Sequence, residues 1–465
     1  MAQRTIQGGF YTVNPTTEEQ LKDYTYMTDE EARQTVDRCH QAFTAWRETS
    51  LAHRAELLKK VGKELEDRKQ EYAELMTREM GKVLKQGIQE VELCAALCQQ
   101  TAETGQKELK DEERTLPEGG RGLITYAPLG VIYGIQPWNF PCYQAVRYAV
   151  ANIMAGNGVL LKHAENCTGS GLFLQEIFEA AGLPKHLFSV LIISHKQSED
   201  IINNDQVRGV TLTGSAAAGK QIAQQAGAAL KKLVLELGSN DAYLVLDDAD
   251  VEMAAETCVK GRIYNNGETC VAAKRFVVVE KVYDAFKEAF VKGMKNIRFN
   301  DPMSKDADMG PMAREDLREK LHDQVKESVD KGAHILIGGE IPDRKGFFYP
   351  ATVLDNIQPG QPAYDDELFG PVASLIKARD NKDAMRIAND SRFGLGGGIF
   401  TKNEEDAFRL AKEEFDTGMV FINSFGLAQP NMPFGGVKNS GYGREHGGFG
   451  MKEFVNIKAV MRLQD

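Results

Sequence analysis

The chain has 465 residues, enough for two or three domains with large cores. Its 56 Lys and Arg against 67 Asp and Glu give a net charge of −11, which argues against nucleic acid or an anionic membrane as the main partner. Hydrophobic residues make up 42% and charged residues 26%, ordinary for a soluble globular protein, and no run approaches the roughly 18 apolar residues of a membrane span.

Residues 10 to 27 read as short strands and turns. From Asp29 to about Asp111 the pattern is helical: Leu51, Leu57, Leu58, Val61 and Leu65 recur at helical spacing, as do Val91, Leu93, Leu97 and Cys98, with charged residues between them. DEERTLPEGGRG (Asp111 to Gly122) is a turn-rich break, and LITYAP after it is extended. From Gly130, strand-like runs alternate with helical ones: VIYGIQP, a helix after Pro141, GVLLK, a helix from about Thr168, LFSVLII, RGVTLTG, a helix from about Ala216, and KKLVLELG. That alternation predicts a parallel, doubly wound sheet. After Gly238 a second alternation runs through DAYLVLDDAD, a helix to about Tyr264, FVVVE, AHILIGG, GPVASLIK, GGGIFT and GMVFIN. The closing MKEFVNIKAVMRLQD reads as an extended strand that pairs with another element or another subunit. MAQRTIQGGF at the start lacks the apolar core of a signal peptide. Seven scattered cysteines suit a reducing, cytoplasmic setting, and Cys94 and Cys98, without nearby His, read as core; no metal site is expected.

Several stretches carry chemistry. YNNGETCVAAKR (Tyr264 to Arg275) sets Cys270 on a small-residue turn between a helix and a buried strand, where a substrate can reach a thiolate. In KKLVLELGSND, Glu236 sits inside an apolar strand pattern and offers a base. IQPWNFP (Ile135 to Pro141) is a rigid turn in which Trp138 and two prolines hold Asn139, a fixed amide suited to an oxyanion. GVLLKHAE places Lys162 and Glu165 where a parallel strand ends, the usual side for ligands in open α/β sheets. GSAAAGK (Gly214 to Lys220) follows a strand and opens a helix, an anion-binding context. It nearly matches a P-loop, but Gln221 stands where Ser or Thr would hold magnesium, which disfavours phosphoryl transfer. ELFGPV brings Glu367 and Phe369. Each feature alone also has a purely structural reading, as a buried thiol, a surface ion pair or a capped helix.

PWNFP, LLKHAE, TGSAAAG, LELG, GETC, ELFGPV and PFGGVKNSGYGRE, in this order, make the whole chain resemble an NAD(P)-dependent aldehyde dehydrogenase, most closely the succinate-semialdehyde branch. The resemblance implies an α/β fold: a Rossmann-like cofactor domain without GxGxxG (1–110 and 129–237), an α/β catalytic domain (238–440), and a small β oligomerisation element (111–128 and 441–465), assembled as a homodimer or homotetramer. It implies Cys270 as nucleophile, Glu236 as general base, and Asn139 with the Cys270 backbone N–H as oxyanion hole. Lys162 and Glu165 become adenine-ribose contacts, Gly214 and Ser215 pyrophosphate contacts, and Glu367 with Phe369 nicotinamide-ribose contacts, with Trp138 and Gly238 lining the same cleft. Glu165 argues for NAD over NADP, because a carboxylate repels a 2′-phosphate.

Two residues depart from the family pattern: Ser239, where a second Gly is usual and the turn could be strained, and Glu268, where Gln is commoner and which is expected to point away from the thiol. The substrate implied is succinate semialdehyde. Arg147, eight residues after Asn139 on a largely apolar helix, is either ion-paired in the core or the anchor for the far carboxylate, helped by Tyr264. The alternatives are another specificity, for a medium-chain or aromatic aldehyde, and a coenzyme A-acylating enzyme, against which Glu236 speaks.

Overall fold

A computed structural model describes residues 5–117 and 119–463. The strands Thr5–Ile6, Gly9–Val13 and Gln20–Thr25 form an antiparallel sheet. Four helices follow: Asp29–Trp46, Leu51–Asp67, Lys69–Met80 and Leu84–Glu108. The first starts on a capping box, with the Glu31 N–H donating to Thr28 Oγ1 (3.2 Å) and the Thr28 N–H to Glu31 Oε2 (2.8 Å). The third ends at Gly81, whose φ of 80° stops the helix. Of the periodic residues, Leu57, Leu58, Val61, Leu65, Val91, Leu97 and Cys98 are buried in one core together with Cys94, while Leu51 and Leu93 are partly buried and pack against it.

Five parallel strands form the first large sheet, in the order Lys232–Glu236, Val207–Thr213, Val131–Gln136, Gly158–His163, Phe188–Val190. The chain winds outward from Val131–Gln136 in one direction, then returns and winds outward in the other. Val131–Gln136 and Val207–Thr213 therefore flank the switch point, where open α/β sheets bind ligands. The C-terminal ends of four strands, at Gln136, His163, Thr213 and Glu236, share that edge. The register that pairs Glu236 with Thr213 and Gln136 with His163 aligns them.

The second sheet runs His334–Ile337, Thr352–Asp355, Val372–Ala378, Arg275–Val279, Ala242–Val245, Gly397–Phe400, Phe421–Ile422; only the first of these is antiparallel to its neighbour. Arg275–Val279 lies at its centre with every residue buried, which is why its sequence is a continuous β-branched run.

Glu112–Thr115, Arg121–Pro128 and Val455–Arg462 make a separate antiparallel sheet. Here the structure corrects two sequence expectations. The closing stretch is not one strand: Phe449–Glu453 is helical and packs on the helix Pro141–Ala155, and the strand begins at Val455. Gly441–Tyr442 pairs with Lys232–Glu236 instead, so the segment from 441 leaves the expected β element and first extends the five-stranded sheet. Among the described residues, no helix is long and apolar enough to cross a membrane.

Candidate active site

The helix Val251–Ile263 delivers the chain to the Cys270 loop, and the loop is forced to turn by three residues at positive φ: Asn265 (52°), Asn266 (58°) and Gly267 (76°). Asn tolerates this region better than other residues with a side chain. At Gly267 a Cβ would meet the Gly370 carbonyl carbon at 2.4 Å, so only glycine fits there. The amides of the two asparagines make the turn specific. Asn266 Nδ2 donates to Gly81 O (3.0 Å) and Pro311 O (2.9 Å), and its Oδ1 accepts from the Gly310 N–H (2.7 Å). Asn265 Nδ2 donates to Asn139 O (2.8 Å), which ties the Cys270 loop to the Trp138–Asn139 turn.

Cys270 is the only cysteine that is not fully buried. It opens into a small apolar cavity of about 20 Å³ walled by Leu93, Phe140, Tyr143, Val271, Leu427 and Phe434. Asn139 Nδ2 donates to Glu268 O (3.0 Å), which uses one of its two amide hydrogens. No described group accepts from the Cys270 N–H. Burial pushes the Cys270 thiol up to about 11, with Arg147 and Lys274 pulling it down and Glu367 and Glu236 pushing it further up. The resting group is therefore a thiol.

Glu236 ends its strand buried, with neither carboxylate oxygen hydrogen-bonded to a described residue. Burial raises its pKa to about 8, Arg147 opposes the rise and Glu445 adds to it. Glu268 does turn away from Cys270. Its carboxyl accepts from the Ala313 N–H (3.1 Å), and burial pushes its pKa well above the usual carboxylate range. Ser239 is not in the left-handed region, so it brings no strain. Its hydroxyl donates to the Cys270 carbonyl, and its N–H donates to Glu367 Oε1 (3.0 Å).

Arg147 is ion-paired. Its Nε meets Glu445 Oε2 and its Nη2 donates to Thr213 Oγ1 (2.9 Å). Burial works against the cation, but Glu445, Tyr143 and Glu236 outweigh it and hold the guanidinium protonated. The group lies over the rings of Phe434 (4.7 Å) and Tyr143 (5.3 Å), behind the cavity wall, with Nη1 buried and unpartnered. Tyr264 stacks on Phe140 (ring centroids 6.4 Å apart).

Along the switch-point edge, Lys162 is buried and has no hydrogen-bond or ion-pair partner among the described residues; burial lowers its pKa and Glu165 opposes this. Glu165 Oε1 accepts from the Tyr26 hydroxyl (2.6 Å). His195 opens the helix His195–Asn203 nearby, its pKa lowered by burial and by Lys162. Ser215 caps Ala216–Ala228 through Ala218 N (3.2 Å), and the Gly214 N–H donates to Glu236 O (3.0 Å). A Cβ on Gly214 would meet nothing closer than 3.8 Å, so the helix start is open to a ligand. Trp138 and Phe369 meet edge to face at 5.7 Å. A Cβ on Gly238 would lie 2.4 Å from Glu367 Oε2, so that glycine admits the carboxylate.

The family model described as "Aldehyde dehydrogenase family" matches residues 3–460. The chain belongs to the aldehyde dehydrogenase family. A succinate semialdehyde dehydrogenase (NAD(P)+) of Escherichia coli strain K12 is 43% identical over 97% of this chain and 97% of its own. A succinate-semialdehyde dehydrogenase (NADP(+)) of Deinococcus radiodurans is 40% identical over 97% and 94%. The crystal structure of succinic semialdehyde dehydrogenase from Streptococcus pyogenes in complex with NADP+ is similar with a TM-score of 0.95 at 37% identity, covering 98% of this chain and 100% of that one.

In this aldehyde dehydrogenase, several site residues escaped the sequence reading. Glu445, the partner of Arg147, closes PFGGVKNSGYGRE, a stretch that carries the family resemblance but gives no sign of an ion pair with Arg147. Lys274 had a faint signal, a basic residue directly before a wholly buried strand. Tyr143 looked like any apolar helix residue. Asn265 had no signal, because its importance depends on left-handed backbone.

Proposed function

We propose that this aldehyde dehydrogenase oxidises succinate semialdehyde to succinate through a thioester on Cys270, using NAD(P)+. One observation carries the reading: a single partly exposed cysteine faces an apolar cavity beside a fixed Asn139 amide, with a buried carboxylate, Glu236, on the adjoining strand end.

The residues fit a dinucleotide. A buried, unpartnered Lys162 with Glu165 suits a ribose or its phosphate, the open helix start at Gly214 and Ser215 suits a pyrophosphate, and Glu367 beside Phe369 suits the second ribose. When bound, NAD(P)+ supplies the two-electron acceptor. Cys270 loses its proton and attacks the aldehyde carbon. Asn139 Nδ2, with its spare hydrogen, and the Cys270 N–H donate to the developing oxyanion. After oxidation to the thioester, Glu236 takes a proton from water, the hydroxide attacks the acyl carbon, and the Cys270 thiolate leaves. A base with a pKa near the working pH suits that step.

The names of the relatives and the buried Arg147 behind the cavity wall, with Nη1 unpartnered, support a substrate bearing a carboxylate. For the cofactor, the sequence expectation of NAD preference loses ground. Glu165 is held by Tyr26 and stands with two basic residues, Lys162 and His195, and relatives are named for NADP(+) or NAD(P)+. We therefore propose that both dinucleotides serve. Exposed Ile457, Val460 and Met461 on the edge strand Val455–Arg462 support assembly into dimers or tetramers through that strand, which light scattering on the eluting protein checks. The deciding assay is reduced-dinucleotide absorbance with succinate semialdehyde and butanal, each cofactor in turn, with and without coenzyme A. No turnover with any aldehyde, or turnover only with coenzyme A, defeats the proposal.

A further inference from the structure

Behind the nucleophile lies a buried cation. Lys274 is about 2% exposed, and its Nζ donates to three oxygens: Cys270 O (2.6 Å), Ser239 Oγ (2.9 Å) and Thr269 O (3.1 Å). Three acceptors satisfy an ammonium group, and Glu367 Oε1 at 3.4 Å balances its charge. Two of the three acceptors are consecutive backbone carbonyls of the catalytic loop. A planar trans peptide points its C=O and N–H in opposite directions. When Lys274 grips Thr269 O, the N–H of the same peptide plane, which belongs to Cys270, must point away from it. That N–H is one of the two oxyanion donors of the proposed reaction, and it is left free.

Resting on the reading of Cys270 as nucleophile, we propose that Lys274 is a positioning residue for it. The ammonium holds the Thr269 and Cys270 carbonyls from the rear, aims the Cys270 N–H at the oxyanion, and through its charge favours the thiolate. The hydroxyl of Ser239 completes the grip, since it donates to the Cys270 carbonyl and accepts from Lys274. This gives Ser239 a purpose in the turn that a second glycine could not serve. The electrostatics agree in sign: Lys274, like Arg147, pulls the Cys270 thiol down. A purely structural lysine would hold the loop together without affecting how the thiol titrates.

The test compares Lys274→Gln, which keeps hydrogen-bond donors and loses the charge, with Lys274→Arg, which keeps the charge. Lys274→Met removes both; if it fails to fold, the other two decide. Alkylation of the purified full-length enzyme by iodoacetamide is followed against pH on the peptide that carries Cys270, with kcat and KM measured in parallel. Lys274→Gln should shift the alkylation profile to higher pH and slow the reaction below the pKa about tenfold, as one pKa unit gives. Its kcat should fall while KM for the aldehyde changes little, and Lys274→Arg should keep the wild-type profile. A wild-type profile in Lys274→Gln, or the same loss in both variants, overturns the proposal. Cys270→Ser separates the two readings: if that variant still oxidises aldehyde, the active-site assignment fails, whereas the alkylation comparison bears on Lys274 alone.

Discussion

Arg147 and Glu445 form a buried ion pair that joins the helix after the Trp138–Asn139 turn to the segment that pairs with the edge strand Lys232–Glu236 of the first large sheet. The guanidinium faces two ways. Nε holds Glu445, while Nη1 has no described partner and the group stands behind Tyr143 and Phe434. The same cation pulls down the pKa of both Cys270 and Glu236. Removing one member of such a pair leaves the other charge buried and unpaired, so stability must be read alongside activity.

Arg147→Ala should raise KM for succinate semialdehyde strongly and barely change kinetics with butanal, which has similar length and no carboxylate. Equal losses with the two aldehydes mean that the ion pair with Glu445 is the whole role of Arg147, and the substrate is then an unspecified aldehyde.

Cys270→Ala should abolish aldehyde oxidation while dinucleotide binding, followed by fluorescence titration, survives. Glu236→Gln should separate acylation from deacylation: a single-turnover burst of reduced cofactor remains and steady turnover collapses. Wild-type turnover in Glu236→Gln removes that carboxylate from the mechanism.

Asn139→Ala should lower kcat about 10²–10³-fold, the usual cost of one oxyanion donor. The backbone carbonyl of Asn139, which accepts from Asn265 Nδ2, survives the substitution, so the loop should keep its place and the melting temperature should change little. A large fall in melting temperature with kcat intact would show a structural amide.

Glu236 also links stability to pH. Its folded pKa, about 8, lies above the ordinary value of 4.5, so the folded state binds the proton more tightly. The stability this gives is fully present below about pH 4.5 and is lost as pH rises through about 8. Glu236→Gln does not titrate. The melting temperature of the variant relative to wild type should therefore climb from about pH 5 to about pH 9. A constant difference across that range would mean that the carboxyl titrates normally.

Glu165→Ser should raise kcat/KM with NADP+ relative to NAD+, because it removes a negative charge beside Lys162 and His195 and frees the Tyr26 hydroxyl. An unchanged ratio would show that Glu165 does not face the ribose.

The strand–helix alternation from Gly130 and again from Gly238, and the buried centre strand Arg275–Val279, follow from the sequence by itself. Periodicity and β-branching report how a segment meets its two faces, and that is a local property. Cys270 on a turn between helix and strand, Asn139 in a rigid Trp-Asn turn and Glu236 within an apolar strand were legible for the same reason. Only the tertiary structure decided what surrounds them. Glu445 reaches Arg147, and Lys274 reaches the Thr269 carbonyl, because the folded backbone brings distant or oppositely facing groups within hydrogen-bond reach. The Glu268 carboxyl turns to the Ala313 N–H for the same reason. The pKa of Glu236 is set by burial and by charges on other segments, and neither quantity is written in the spacing of residues along the chain. The helix Phe449–Glu453 was missed on the same ground: five residues are too few for a helical period to show, and its packing on Pro141–Ala155 holds it in place.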